Sequence, residues 1–149
     1  MSVGKLCSRV VTVVRREESI MAAARLMRQQ HVGNVVVVDA EGDGQRPVGI
    51  LTDRDIVVEL VAKELDLKVV TVGDAMSCDL LTLPEDMDLL VAVGEMRSHA
   101  VRRAPVVDAR GMLVGIISID DVLGVLAELL KDLSCLVNKE QRRETVRRV

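Results

Sequence analysis

Phenylalanine, tyrosine and tryptophan are all absent from the 149 residues. Single-strand nucleic-acid binders stack bases on such rings, so that mode of recognition is closed to this chain. Any flat ring it holds must be gripped by aliphatic side chains and backbone groups. Cysteine is scarce: Cys7, Cys78 and Cys135 lie far apart, form no C-x-x-C pair, and with His31 and His99 match no zinc-ligand spacing. No 18-residue apolar run occurs, which removes a membrane-spanning helix from the expectations. Lys5, Arg9 and Arg15 interrupt the N-terminal stretch where a secretory signal would need its apolar core. A cytoplasmic location is therefore expected. A strong surplus of one charge is also missing, since the net charge is −3, so the chain as a whole is no electrostatic trap for nucleic acid. The exception is local. Over residues 138–149, Lys139, Arg142, Arg143, Arg147 and Arg148 stand against only Glu140 and Glu144.

What the chain has in quantity is apolar sequence, 49% against 29% charged, the balance of a packed globular protein. It also has a repeat. Val3-Gly4-Lys5-Leu6-Cys7-Ser8 returns as Val72-Gly73-Asp74-Ala75-Met76-Ser77, an offset of 69 residues. Met27-Arg28 returns as Met96-Arg97, and Val37-Val38-Asp39-Ala40 as Val106-Val107-Asp108-Ala109, at the same offset. Beyond that the offset drops to 66, with Gly49-Ile50-Leu51-Thr52 matching Gly115-Ile116-Ile117-Ser118. Three extra residues in the Glu41–Gln45 turn account for the change, a difference that a glycine-rich loop tolerates.

Each copy reads as one series of elements. A short β-like segment (Val10–Val14, Leu80–Leu83) precedes a helix with Ser19 or Asp86 as N-cap. Ile20, Ala23, Ala24 and Met27 fall at helical spacing in the first copy, and Leu89, Ala92, Val93 and Met96 in the second. A buried strand (Val35–Asp39, Pro105–Asp108), a turn and a second strand (Val48–Thr52, Leu113–Ser118) follow, and a final helix starts near Arg54 or Asp120. The expected fold class is α+β: two β-α-β-β-α repeats packed about a pseudo-twofold axis, because neither copy buries much core alone. The expected domains are 1–66, 67–130 and a basic helical tail over 131–149, with Leu130, Leu133, Leu136 and Val137 on one face.

The run Val-Val-Val-Asp, turn, Val48-Gly49-Ile50-Leu51-Thr52-Asp53-Arg54-Asp55-Ile56 resembles the signature of a CBS (cystathionine-β-synthase-type) domain. Pro105-Val106-Val107-Asp108 through Gly115-Ile116-Ile117-Ser118-Ile119-Asp120-Asp121-Val122 resembles a second, and two in tandem resemble a Bateman module. The resemblance covers roughly residues 3 to 130. It implies a stand-alone regulatory module that binds AMP, ADP, ATP or NAD between its repeats, with no cofactor of its own, acting as a homodimer on a regulated protein that the sequence leaves unidentified.

The motif also has a direct physical reading. Thr52 and Asp55 stand three apart at a strand-to-helix turn, as do Ser118 and Asp121. The hydroxyl can reach a phosphate oxygen, the helix start adds free N–H donors, and the carboxylate can accept ribose hydroxyls. The same Ser/Thr-x-x-Asp spacing is also a capping box, and either reading suits one copy alone. Arg54 lies within the first motif. Arg102-Arg103 precede the second copy's central strand, where the resemblance places a phosphate-binding basic residue on Arg103; the counterpart in the first copy is Asn34. The Ser118/Asp121 site is accordingly expected to outperform the Thr52/Asp55 site. By resemblance, the adenine slots lie among Thr12, Val13, Val35, Val36 and Ile50 in one site, and Thr82, Leu83, Pro84, Ala104, Pro105 and Ile116 in the other.

No catalytic constellation is visible, since His31 and His99 have no recognisable nucleophile partner, and an enzyme is not expected. Asp53, Asp55, Asp120 and Asp121 are dense enough to suggest a metal site, but their repetition at helix starts fits charge compensation of the helix N-terminus. The alternative is an interaction module whose nucleotide site has decayed, docking a protein partner, or nucleic acid through the basic tail.

Overall fold

The computed structural model describes residues 1–147, so Arg148 and Val149 of the basic tail lie outside the described residues. The chain divides into two compact units, Met1–Ile117 and the segment from Ser118 onward. Within the first, the elements run α1 (Val3–Leu6), β1 (Val13–Val14), α2 (Ile20–Gln30), β2 (Asn34–Glu41), β3 (Gly44–Thr52), α3 (Asp53–Asp55), α4 (Val72–Ala75), β4 (Leu83–Pro84), α5 (Leu89–Ser98), β5 (Arg103–Val107) and β6 (Leu113–Ser118). A π-helical stretch, Ile56–Val61, continues α3. Two three-stranded sheets result, ordered β1-β2-β3 and β4-β5-β6, and the class is α+β. β1 runs parallel to β2 and β2 antiparallel to β3, while β4 runs parallel to β5.

The central strands carry the core because their valine-rich run is covered on both faces. Val35, Val36 and Val37 are fully buried, as is Val106 in the second copy. Ile20, Ala23 and Met27, three and four residues apart on α2, are buried with Val14, Val35, Val37 and Leu51. α2 opens on Ser19, whose hydroxyl accepts from Ala22 N at 3.1 Å, as expected. α5 opens on Asp88 rather than Asp86, its carboxylate accepting from Leu90 N at 2.9 Å. The repeat explains the correction, because Asp88 is the residue 69 positions after Ser19.

The copies are joined by exchanged ends. Val3 N donates to Met87 O and Gly4 N to Glu85 O; at the same offset, Val72 N donates to Glu18 O and Gly73 N to Arg16 O. Each copy's first helix thus docks against the other copy's helix entry. Farther along, Ser8 and Ile116 exchange backbone hydrogen bonds at 2.9 Å each way. Their counterparts Ser77 and Ile50 do so at 2.9 and 3.2 Å. These reciprocal pairs are the pseudo-twofold relation in atomic terms.

The second unit is one helix, α6 (Ile119–Arg147), continuous from the end of the second repeat through the tail. Leu130, Leu133, Leu136 and Val137 are all exposed on it. Among the described residues, no helix is long and apolar enough to cross a membrane.

Candidate ligand site

β2 and β5 begin at equivalent positions, and both beginnings border one cavity of about 620 Å³. The first copy supplies Gly33, Asn34, Ile50, Thr52, Asp53 and Arg54; the second supplies Asp79–Leu81 and Ala100–Arg103. That volume falls within the range of small-molecule sites, about 300–1,000 Å³. Arg54, Arg102 and Arg103 are exposed, and none of their guanidiniums has a hydrogen-bond or ion-pair partner among the described residues. Three guanidiniums against the carboxylates of Asp53 and Asp79 leave the lining net positive. Asp53 is partly engaged, accepting from Arg54 N at 2.8 Å, while its own N–H donates to Gly33 O. Guanidiniums left unpaired around a concave surface suit an anion, which they can meet bidentately.

Thr52 closes a capping box: its hydroxyl accepts from Asp55 N at 3.1 Å and Asp55 Oδ2 accepts from Thr52 N at 2.9 Å. The Thr52 hydroxyl proton is not used in that box, so it remains available to a ligand. Ser118 is built differently. It accepts from Asp121 N at 3.3 Å, and its own hydroxyl donates to Asp121 Oδ2 at 2.7 Å. The Ser118 proton is thus held inside its cap, as is that of Thr71, which donates to Asp74 Oδ2 at 2.8 Å. Two motifs that read alike therefore differ in what they can offer.

Of the residues singled out in the sequence, Ile50, Thr52, Arg54 and Arg103 meet at this cavity. Arg103, grouped in sequence with Ser118 and Asp121, shares the space with Thr52 and Arg54. Asp55 stays in its capping box beside the cavity. Thr12 O accepts from Val36 N at 3.0 Å, and Val13 pairs with Val36. Val35, Val36, Leu83 and Ala104 are fully buried in the core, as is Pro105. The second copy's wall is formed by Asp79, Leu80 and Leu81, just upstream of Thr82, Leu83 and Pro84. Ile116 is tied to Ser8, while Ser118, Asp120 and Asp121 open the second unit. Sequence reasoning did not select Gly33, Asn34 or Arg102 as site residues. The signal was present, because Gly33-Asn34 and Arg102-Arg103 occupy equivalent places before the central strand. Among the described residues, no group of three or more His, Cys, Asp or Glu is placed to hold a metal ion.

Two copies of one α+β unit that exchange their ends beside a cation-lined cavity define a tandem-repeat protein of the α+β class. The CBS-domain family model matches twice, over residues 3–62 and 72–128, and the chain belongs to the CBS-domain family. It is 35% identical to an uncharacterized protein of Methanopyrus kandleri, over 84% of this chain but only 62% of that protein's length. It is 34% identical to hypoxic response protein 1 of Mycobacterium tuberculosis, over 79% of this chain and 80% of the relative. A crystal structure of Hypoxic Response Protein I, with two coordinated zinc ions, superposes with a TM-score of 0.72 at 31% identity, covering 83% of this chain and 97% of that one. The CBS domain pair of protein MJ0100, in complex with 5′-methylthioadenosine and S-adenosyl-L-methionine, superposes with a TM-score of 0.73 at 25% identity, covering 85% and 99%.

Proposed function

We propose that the chain is a regulatory module, not an enzyme, which binds an adenine nucleotide in the cavity between its repeats and reports metabolite state to a partner protein. The observation that carries this reading is the trio Arg54, Arg102 and Arg103, unpaired around the Thr52 hydroxyl in one cavity. The guanidiniums take the phosphate. The Thr52 hydroxyl donates to phosphate or ribose, and the unused Asp55 oxygen accepts from ribose. Ile50, Leu80, Leu81 and Val101 supply aliphatic walls for the base, the only kind a chain without aromatic rings can provide. The binding of 5′-methylthioadenosine and S-adenosyl-L-methionine by a protein of the same fold supports the adenosine part of the reading. The cationic lining points beyond those two ligands to one that bears phosphate: AMP, ADP, ATP or NAD. A second ligand at Ser118 and Asp121 is part of the same proposal, as are homodimer formation and a cytoplasmic setting.

The test is thermal unfolding of the purified chain with AMP, ADP, ATP, NAD, S-adenosylmethionine and methylthioadenosine. A ligand at one hundred times its Kd stabilises the fold by about 2.7 kcal/mol, or roughly 5–10 °C in Tm for a chain of this size. A response to phosphate-bearing members is expected. Silence across the whole panel overturns the reading.

A further inference from the structure

α6 runs as an unbroken helix from Ile119 to Arg147, yet Leu123, Leu126, Leu129, Leu130, Leu133, Leu136 and Val137 on it are 49–67% exposed. Ile119, Leu123, Leu126, Leu130, Leu133 and Val137 recur at alternating steps of four and three, which sets them along one face of the helix where another helix can pack. Small Ala127 and Ser134 border one side of the seam, and Leu129 and Leu136 border the other. Beyond Val137 the same seam positions become Glu140 and Glu144, so the apolar face stops there.

We infer that this face is covered by the same helix of a second copy of the chain, running antiparallel. One register satisfies the whole seam. With Leu126 set against Leu130 of the partner copy, Leu123 meets the partner's Leu133 and Ile119 meets the partner's Val137. Every apolar seam residue then faces another, and both ends of the seam close together. Charge selects the direction. Asp120 and Asp121 open the helix, whereas Lys139, Arg142 and Arg143 follow the seam. Parallel pairing would set like charges side by side at both ends. Antiparallel pairing brings each basic tail past the acidic start of the partner's helix, where the helix dipoles also oppose favourably. The helical segment of the seam, Ile119 to Val137, spans about 28 Å at about 1.5 Å per residue.

This deepens the homodimer element of the proposed function by naming its surface, and the experiment separates the two. Sedimentation equilibrium of the intact chain should give a multiple of the 16.3 kDa chain mass. Leu126→Glu with Leu133→Glu should halve that mass while leaving the cooperative unfolding of the repeats in place. Direction is read by cross-linking in a Cys78→Ser, Cys135→Ser background. A mixture of the Leu123→Cys and Leu133→Cys proteins should form the disulfide between the two variants, and neither protein alone should form its own. A dimer that survives both glutamates leaves self-association intact but overturns the helix seam. Cross-linking of each variant to itself overturns the antiparallel direction. A monomeric wild-type chain overturns both.

Discussion

Ile50 and Ser77 exchange both of their backbone hydrogen bonds, at 3.2 and 2.9 Å, although they belong to different copies of the repeat. Ile116 and Ser8 repeat the exchange at 2.9 Å each way. The two bridges force the chain entering each copy across the face of the other copy's last strand, and they place a glycine at each crossing. A Cβ on Gly49 would lie 2.6 Å from Met76 Sδ and 2.9 Å from Ser77 O; one on Gly115 would lie 2.6 Å from Cys7 Sγ and 2.8 Å from Ser8 O.

Gly49→Ala should therefore destabilise the fold by about 1–3 kcal/mol, the usual cost of overpacking a close contact. The carbonyl of Ser77 is fixed by the bridge and cannot retreat as the end of a flexible side chain would. Gly94 is the control. It lies within α5 with nothing within 4 Å of an added Cβ, so Gly94→Ala should raise stability by about 0.5–1 kcal/mol through helix propensity. Urea denaturation of both variants measures the pair. Equal effects would show that the crossing is not tightly packed.

Arg103→Ala separates phosphate recognition from base recognition. Arg103 is exposed and unpaired, so the unliganded Tm should move little, within about 0.5 kcal/mol of wild type. Affinity for a phosphate-bearing adenine ligand should fall about 10–100-fold, the loss of one charge-assisted hydrogen bond. Binding of uncharged methylthioadenosine should not change. Calorimetric titration with both ligands decides it, and an equal loss for both would place Arg103 away from the phosphate. Asp121→Ala in the same titration shows whether the Ser118 site contributes.

Acid should weaken the fold through its capping carboxylates. Backbone N–H donation from Thr71 holds the Asp74 carboxyl below its ordinary range, and donation from Leu90 does the same for Asp88. Donation from the Met112 backbone lowers Asp108 likewise. Folded carboxylates with lowered pKa values bind fewer protons than the unfolded chain. The stability they contribute is therefore complete above about pH 4 and is lost as pH falls through the folded values. Tm should stay level from pH 7 to 5 and drop below about 4. Asp74→Ala should melt lower than wild type at pH 7, and the gap should narrow on acidification. A gap that stays constant down to pH 3 would show that the carboxylate's charge plays no part.

The repeat, the β-α-β-β-α order and the CBS-type motif were legible in the residues, because a duplicated pattern of valines, glycines and hydroxyl–acid pairs is written in local sequence, whereas the one-turn helices α1 and α4 that open the two copies were not expected. The offset of 69 even contained the right cap, Asp88, which a reading of local composition alone replaced with Asp86. Local sequence also singled out Arg103 and Thr52 as candidate ligand residues. It could not group them, since the contacts that bring Arg103 beside Thr52 and Arg54 come from chain crossings between residues far apart in the sequence. The difference between Thr52 and Ser118 was likewise invisible. Both read as a hydroxyl three residues before an aspartate, and only the folded geometry shows that Ser118 donates its proton to Asp121 while Thr52 keeps its own. Periodicity and motif are properties of neighbouring residues, so sequence determines them. Which guanidinium faces which hydroxyl depends on how two copies cross, and that is decided by tertiary packing.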